Sequence, residues 1–399
     1  MQIKQLGIVR MDYLSLLVSA FFIYMYNNVF MVVIPLLLTA MGGTGTLAGV
    51  QAMLFLVTAI LLRFFFGPLA DTYGRRMTML LGSISFLATS VLFLHVVEVW
   101  QVLVLRIVQG VGLAAYFPAA IATAAACAGI RNKGVYIGIL RMVASFSLMV
   151  GPVIALFLIQ NYGYHTFFQG IAVSAFLGLL AIFFIPAPVL GPEKHAGKEN
   201  SMSLRQKCNF LPLLKKCPLI LGTTFTTAIS YGVFMSFAAL FIKEQASAIN
   251  AGFFFTLYSA GGMVANGVIG WLSDRFGRLQ LIVCCLMSLG IGIIMFALLP
   301  NVLFFLYPAG LFSGIGYYGS IAVLMAWMTE KVESTECTAA LSLQQNALDF
   351  GIAFGSVVFG TILACLGNGS ILYQVMGVLY LGYALFIFFT EKKDSKQPA

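Results

Sequence analysis

The amino-acid sequence predicts an all-α membrane protein of twelve transmembrane helices arranged as two pseudo-symmetric six-helix bundles. Three observations predict it. Apolar runs of about twenty residues recur along the chain, each long enough to cross a hydrocarbon core of roughly 30 Å as a helix. With 61% hydrophobic and 9% charged residues and a mean hydropathy of +0.99, the chain has too little polar surface for a water-soluble particle of its size. Finally, the stretch Gly67-Pro-Leu-Ala-Asp71-Thr-Tyr-Gly74-Arg75-Arg76 returns as Gly270-Trp-Leu-Ser-Asp274-Arg-Phe-Gly277-Arg278, 203 residues later in a chain of 399. Self-similarity at that distance marks two copies of one unit.

The first apolar run, 13–38, follows Lys4 and Arg10. It is too long for the hydrophobic region of a signal peptide and no small-residue cleavage site follows it, so it reads as a membrane helix. The second, 47–70, leads into the repeated stretch and then into the third, 77–97. Runs 99–128, 134–160 and 165–186 complete an N-terminal bundle of residues 1–186. Residues 187–216, rich in Pro, Gly and Lys, break the apolar pattern and read as a cytoplasmic linker. Beyond it, runs 217–242, 249–273, 279–299, 301–329, 338–367 and 370–390 form a C-terminal bundle within 217–399. The copies stay in register past the repeated stretch: Gly110-Val-Gly112 returns as Gly314-Ile-Gly316 and Gly151 as Gly355, each 204 residues on.

The net charge of +9 lies between the spans and not on one face, which argues against a nucleic-acid surface. Eighteen of the 22 Lys and Arg residues fall in the N-terminus, alternate loops and the C-terminus, whereas only Lys243 lies in the opposite loops. Positive residues stay on the cytoplasmic side, so both termini and the linker are expected there, with an even number of spans. The seven cysteines are odd in number and scattered, so no disulfide framework is implied. His95, His165 and His195 are isolated, and no Ser-His-Asp or Cys-His set appears. No metal, cofactor or enzymatic activity is expected. Gly314-x-Gly316-x-x-Gly319 matches a dinucleotide fingerprint, but it lies within a membrane helix and not after a strand.

Both copies of the repeated stretch fit the loop G-x-L-x-D-x-[YF]-G-R, which joins the second and third helices of each half in the major facilitator superfamily. The chain resembles that family. The resemblance implies a secondary transporter whose substrate cavity lies between two bundles near the bilayer midplane and opens to either side in turn. It also implies that the loops act as a gate latch, through Gly67, Asp71, Gly74, Arg75 and Arg76 in one half and Gly270, Asp274, Gly277 and Arg278 in the other. Arg106, before Gln109-Gly110, is similar to the R-x-x-x-G pattern of the fourth helix, linked to proton transfer in the proton-coupled antiporter branch. Ser147-x-x-x-Gly151-Pro152-x-x-Ala155 is similar to the exporters' G-x-x-x-G-P-x-x-G, with Ser for the first Gly and Ala for the last. Arg63 before Gly67 resembles the exporters' R-P-x-x-G, with Phe64 in place of Pro. With Asn27 and Asn28 before Pro35 and Asp349-x-Gly351, the set looks like that of bacterial drug and opine-metallophore exporters.

The residues also speak for themselves. Of thirteen acidic residues, Asp349 alone falls deep in a span, about 16 Å from the cytoplasmic start of its helix at 1.5 Å per residue. An intramembrane carboxylate is a candidate proton-coupling group, with a permanent ion pair or helix cap as the alternative. Arg106 is costly at its depth unless it is paired or faces water, and a strut bonded to backbone carbonyls is its alternative role. Arg141, nearer the cytoplasmic edge, could face an anionic substrate or partner Asp349. Ser147 with Gly151, and Gly351 with Gly355, put small residues on one helix face where neighbouring backbones can approach. Tyr24, Asn27, Asn28, Tyr116, Tyr231, Tyr258, Tyr317, Tyr318, Gln345 and Asn346 are the candidate cavity residues, and such amides and aromatics suit amphipathic organic molecules.

The expectation is a monomeric secondary active transporter of the cell's inner or plasma membrane, exporting a small amphipathic compound in exchange for protons. Its partners are the small-molecule substrate, protons and the lipid bilayer, with no nucleic acid. A proton-coupled importer of a nutrient, an exporter of a metallophore, and a non-transporting receptor or scaffold are the rival readings.

Overall fold

The computed structural model describes residues 2–127, 133–185, 211–245, 249–332 and 337–394. Every regular element among them is helical: α1 (Gln2–Ala40), α2 (Gly45–Tyr73), α3 (Arg75–Leu92), α4 (Val99–Cys127), α5 (Lys133–Phe183), α6 (Leu211–Lys216), α7 (Pro218–Val233), α8 (Ala239–Gln245), α9 (Gly252–Phe276), α10 (Arg278–Ala297), α11 (Leu306–Lys331), α12 (Cys337–Leu366) and α13 (Gly369–Asp394). By length and hydropathy alone, ten stretches of the described residues could cross a membrane. One of these is too long for a single crossing. The 51 residues of α5 would run about 76 Å at 1.5 Å each, more than twice a hydrocarbon core. The helix breaks at Gly163, where φ is 80° and ψ 174°, between the expected spans 134–160 and 165–186. Counting both sides of the break, and adding the 25-residue α9, gives twelve.

The first apolar stretch, Tyr13–Ala40, begins where expected, and its helix runs ahead of it from Gln2. Leu211–Lys216, inside the expected linker, is helical and runs up to α7, whose first residue, Pro218, has φ suited to a helix start. Between α7 and α8 the backbone winds as a π turn over Phe234–Ala238. Residues 187–210 of the linker lie outside the described residues.

The chain divides into two compact units, Met1–Leu47 with Gln51–Gly197, and Ala48–Val50 with Lys198–Ala399. In the first, α1 packs along α5, and α3 along α4 and α5. Its core is aromatic, with the ring of Tyr26 4.5 Å from Phe30 and 4.8 Å from Phe86. In the second, α11 packs along α9 and α10, α13 along α10, and α12 along α7. Phe234 of the π turn meets Phe254, Phe296 and Tyr373 there, at 5.1, 5.4 and 5.9 Å.

The repeat is legible in these contacts. A Cβ on Gly110 would lie 2.7 Å from the Phe55 carbonyl oxygen, and one on Gly314 would collide with that of Tyr258. Phe55 and Tyr258 are 203 residues apart. Gly112 abuts the Phe86 ring and Gly316 the Leu289 backbone, again 203 apart. Gly151 abuts Met25 and Gly355 abuts Ile229, 204 apart. The same absences of a side chain therefore draw together the same helix pairs in each unit. The loops joining α2 to α3 and α9 to α10 are single residues, Gly74 and Gly277, both with φ 90°. Any other L-residue is strained in that region, which is why the loop sequence needs glycine there.

Candidate functional site

In the N-terminal unit α4 places Arg106 inward, 1% exposed. Its Nη1 donates to Gln109 Oε1 at 2.7 Å, one turn along the same helix, and its Nη2 to Met31 Sδ at 3.2 Å. The guanidinium lies 4.1 Å from the Phe55 ring centroid, within the range of cation–π attraction. Gln109 Nε2 donates onward to the Tyr26 hydroxyl at 2.6 Å, which pairs with Thr89 Oγ1 at 2.8 Å. Among the described residues no carboxylate pairs with Arg106. This buried cation is held by an amide, a thioether and an aromatic face, not by the backbone carbonyls of a strut. Sequence reasoning missed Gln109, Tyr26, Met31 and Phe55 as its partners, although the i, i+3 spacing of Arg106 and Gln109 was available.

The cavity candidates of this unit separate into different roles. Asn28 joins α1 to α5, donating through Nδ2 to Ser147 Oγ at 3.0 Å and to the Ala144 carbonyl at 3.3 Å. Ser147 thus supplies an acceptor where the repeat has Gly351. Tyr116 is wholly buried and its hydroxyl pairs with Ser19 Oγ at 2.8 Å, which in turn donates to the Gly178 carbonyl. Tyr24 stands edge-on to Phe117 at 4.6 Å and within electrostatic reach of Arg141. Asn27 and Arg141 are partly exposed. Pro152, buried within α5, directly follows Gly151.

In the C-terminal unit the tyrosines come together. Tyr231 stacks on Tyr317 at 4.8 Å, Tyr318 stands edge-on to Tyr317 at 5.0 Å and to Tyr258 at 5.8 Å, and Tyr231 lies 6.2 Å from Tyr258. Asp349 on α12 is 5% exposed and within electrostatic reach of Tyr231. Gln345, one turn earlier, donates through Nε2 to Asp349 Oδ1 at 3.3 Å. Asn346 is partly exposed beside it. Gly351 and Gly355 on the same helix bring α12 against the Phe225 and Ile229 carbonyls of α7. Ser356 pins the π turn, donating through Oγ to the Gly232 carbonyl at 3.0 Å while receiving the Ser236 hydroxyl at 3.1 Å. A π turn displaces one carbonyl from the regular ladder, and a neighbouring hydroxyl is a natural partner for it. Hydropathy carries no signal for such a turn.

At the repeated loops, Arg278 forms a two-pronged contact with Glu330 on α11, Nη2 to Oε1 at 2.6 Å and Nε to Oε1 at 3.2 Å. Glu330 was not among the expected site residues. Arg76 lies over the Phe183 ring at 5.7 Å, and Arg75 is partly exposed. The side chains at positions 67, 71, 270 and 274, which include Asp71 and Asp274, as well as the surroundings of Gly67 and Gly270, lie outside the described residues.

The sequence profile of the Major Facilitator Superfamily matches residues 16–221 and again 220–399. The chain belongs to that superfamily. It is therefore a transporter and not an enzyme, and a multi-pass membrane protein. Among its relatives in the superfamily, the multidrug resistance protein MdtG of Proteus mirabilis (strain HI4320) is 23% identical over 348 residues, covering 82% of each chain. The 4-hydroxybenzoate transporter PcaK of Acinetobacter baylyi (strain ATCC 33305 / BD413 / ADP1) is 22% identical over 79% of this chain and 76% of its own. Among solved superfamily structures, the nucleoside transporter NupG superposes with a TM-score of 0.79 at 12% identity, over 95% of this chain and 98% of its own. That likeness speaks for the fold.

Proposed function

We propose that this transporter exports a small amphipathic organic compound in exchange for protons, with Asp349 as the principal proton-carrying group. The reading rests on one observation: a carboxylate 5% exposed in the middle of a membrane helix, beside an amide donor and a tyrosine. An ionisable group at that depth is expensive to keep, and such groups mark substrate and proton pathways. Export finds support in the multidrug resistance relative and in the small-residue pattern of Ser147, Gly151 and Pro152. In this reading the bundles rock about a central cavity, Arg106 and Arg141 supply the positive charge that responds to the carboxylate, and the repeated loops latch the closed side. Both termini and the linker face the cytoplasm, the protein works as a monomer, and it resides in the inner or plasma membrane.

The test is radiolabelled amphipathic antibiotics offered to reconstituted vesicles under an imposed gradient. An inside-acidic gradient drives uptake by an antiporter, because protons leave as substrate enters. An inside-alkaline gradient drives uptake by a symporter. Asp349→Asn keeps the size and polarity of the side chain but carries no proton. We expect it to abolish accumulation under the inside-acidic gradient while leaving gradient-free exchange measurable. Unchanged uphill transport by this variant would remove Asp349 from the coupling role. Import is the second reading, favoured by the 4-hydroxybenzoate transporter relative, and uptake under the inside-alkaline gradient alone would establish it.

A further inference from the structure

The four clustered tyrosines are not what the fold needs at their positions. At the offsets that relate the two units, Tyr231, Tyr258, Tyr317 and Tyr318 correspond to Asn27, Phe55, Leu113 and Ala114. The same helix packing is thus achieved in the other unit with no tyrosine at any of the four. Apolar rings would also fill the space without bringing hydroxyls into a dry interior, where an unsatisfied one is costly. Tyr258 is wholly buried and its hydroxyl has no hydrogen-bond partner, yet it faces the phenols of Tyr231, Tyr317 and Tyr318. The cluster opens on one side, since Tyr231 and Tyr318 are partly exposed while Tyr258 and Tyr317 are buried.

Gly262 on α9 holds the cluster in shape. A Cβ there would lie 2.7 Å from Tyr318 Cε2 and 2.8 Å from Cγ, and closer still to Cδ2. Parting the helices to relieve this would give up the close approach that Gly314 and Gly310 allow between the α11 backbone and the Tyr258 and Phe254 carbonyls. The Tyr318 ring would have to leave. The corresponding residue of the other unit is Ala59, whose Cβ is tolerated where Ala114 replaces the tyrosine. The glycine is required by the ring, not by the helix pair.

We propose that these tyrosines form a wall that binds the ring system of an aromatic substrate bearing a hydrogen-bond acceptor, and that Gly262 determines its shape by seating Tyr318. The proposal rests on the transport reading above and names the class of its substrate. The rings stack on the substrate's aromatic part, and the phenols of Tyr231 and Tyr318, on the open side of the cluster, donate to its acceptor, with Tyr258 backing them.

The test is calorimetric titration of the purified full-length protein with benzanilide, two aromatic rings joined by an amide, and with its saturated dicyclohexyl counterpart. The native protein is expected to prefer benzanilide by about tenfold, the worth of a pair of good ring contacts. Gly262→Ala and Tyr318→Leu should each remove that preference, and the double variant should be no weaker than Tyr318→Leu alone, since the added methyl then has no ring to displace. Equal affinity of the native protein for both compounds, no saturable binding, or losses that add in the double variant would each overturn the proposal. Should Gly262→Ala alone fail to yield a monodisperse protein, the double variant must recover it, and failure to do so overturns the seat. Benzanilide bound with the aromatic preference but not driven by a proton gradient would sink the export reading and keep the wall. Proton-driven export of another compound, without benzanilide binding, would do the reverse.

Discussion

The N-terminal unit buries a cation and the C-terminal unit a carboxylate, and neither has a counterpart across the repeat. Arg106 corresponds to Gly310, which closes α11 against α9 with no side chain at all, and Asp349 corresponds to Ser145. Gln109 and Tyr26, which continue the arginine network, correspond to Ser313 and Ser230. By contrast Gly110 and Gly314, Gly112 and Gly316, and Gly151 and Gly355 hold the same helix pairs together in both units. The positions that repeat in the interior are those where two helices must approach closely. The interior positions that do not repeat carry the buried charges and the clustered phenols. A scaffold doubled in one chain thus supplies its own control: what one half does without is not demanded by the fold.

The largest effect that would test this division is at Arg106. Arg106→Met has similar length and removes a buried cation for which the described residues offer no carboxylate. Stability should rise, by about 1–4 kcal/mol if the site behaves as buried ionic groups do when apolar ones of like volume replace them. Proton-driven transport should fall by about two orders of magnitude, the usual worth of a group that positions a proton transfer. Thermal unfolding beside vesicle flux reads both. A variant that loses stability along with transport would place Arg106 in the scaffold and break the comparison.

A smaller effect is expected where the units agree. Gly110→Ala and Gly314→Ala each force a methyl into a neighbouring backbone, and both should destabilise by about 1–3 kcal/mol, as overpacking does. The loss should be greater for Gly314, whose Cβ would collide more closely with the Tyr258 carbonyl than that of Gly110 with Phe55. Sensitivity in one unit alone, measured by thermal unfolding, would mean that the glycines are not common scaffold.

The twelve spans and the repeat were legible because they depend on run length and on residue identity at fixed spacing. Gly110, Gly151 and their copies were placed in register from the sequence alone, and Gly74 and Gly277 fell at the turns expected of them. The partners were not legible. Helical periodicity tells which residues share a face but not which helix that face meets, so Tyr116, grouped with the other aromatics by composition, lies against Ser19, while Tyr231, Tyr317 and Tyr318 gather from two helices. The arginine's preference for neutral partners was hidden for the same reason: Met31 and Phe55 are 75 and 51 residues away in the chain. Glu330 went unnoticed because a carboxylate at a helix end reads as ordinary solvated surface until the opposing Arg278 is placed.

That last pair offers the smallest and sharpest contrast between the units. Arg75 corresponds to Arg278 at the first offset, and Glu330 corresponds at the second to Ala126, an exposed residue of α4. One unit therefore has a two-pronged Arg–Glu contact at its loop and the other has a methyl where the glutamate would be. Glu330 is half exposed, and ion pairs so accessible to water contribute less than about 1 kcal/mol. Glu330→Gln should accordingly shift the unfolding temperature little at low salt and not at all at high salt, where the pair is screened. Ala126→Glu should have an effect of similar size and opposite sign if the repeat extends to this contact, because the new carboxylate would stand to Arg75 as Glu330 stands to Arg278. Thermal unfolding of the two single variants and their combination, at about 10 mM and about 1 M salt, decides it. A salt-independent change at either position would assign the effect to packing. No gain from Ala126→Glu, with a loss from Glu330→Gln, would show that the units diverge at their loops as they do in their interiors.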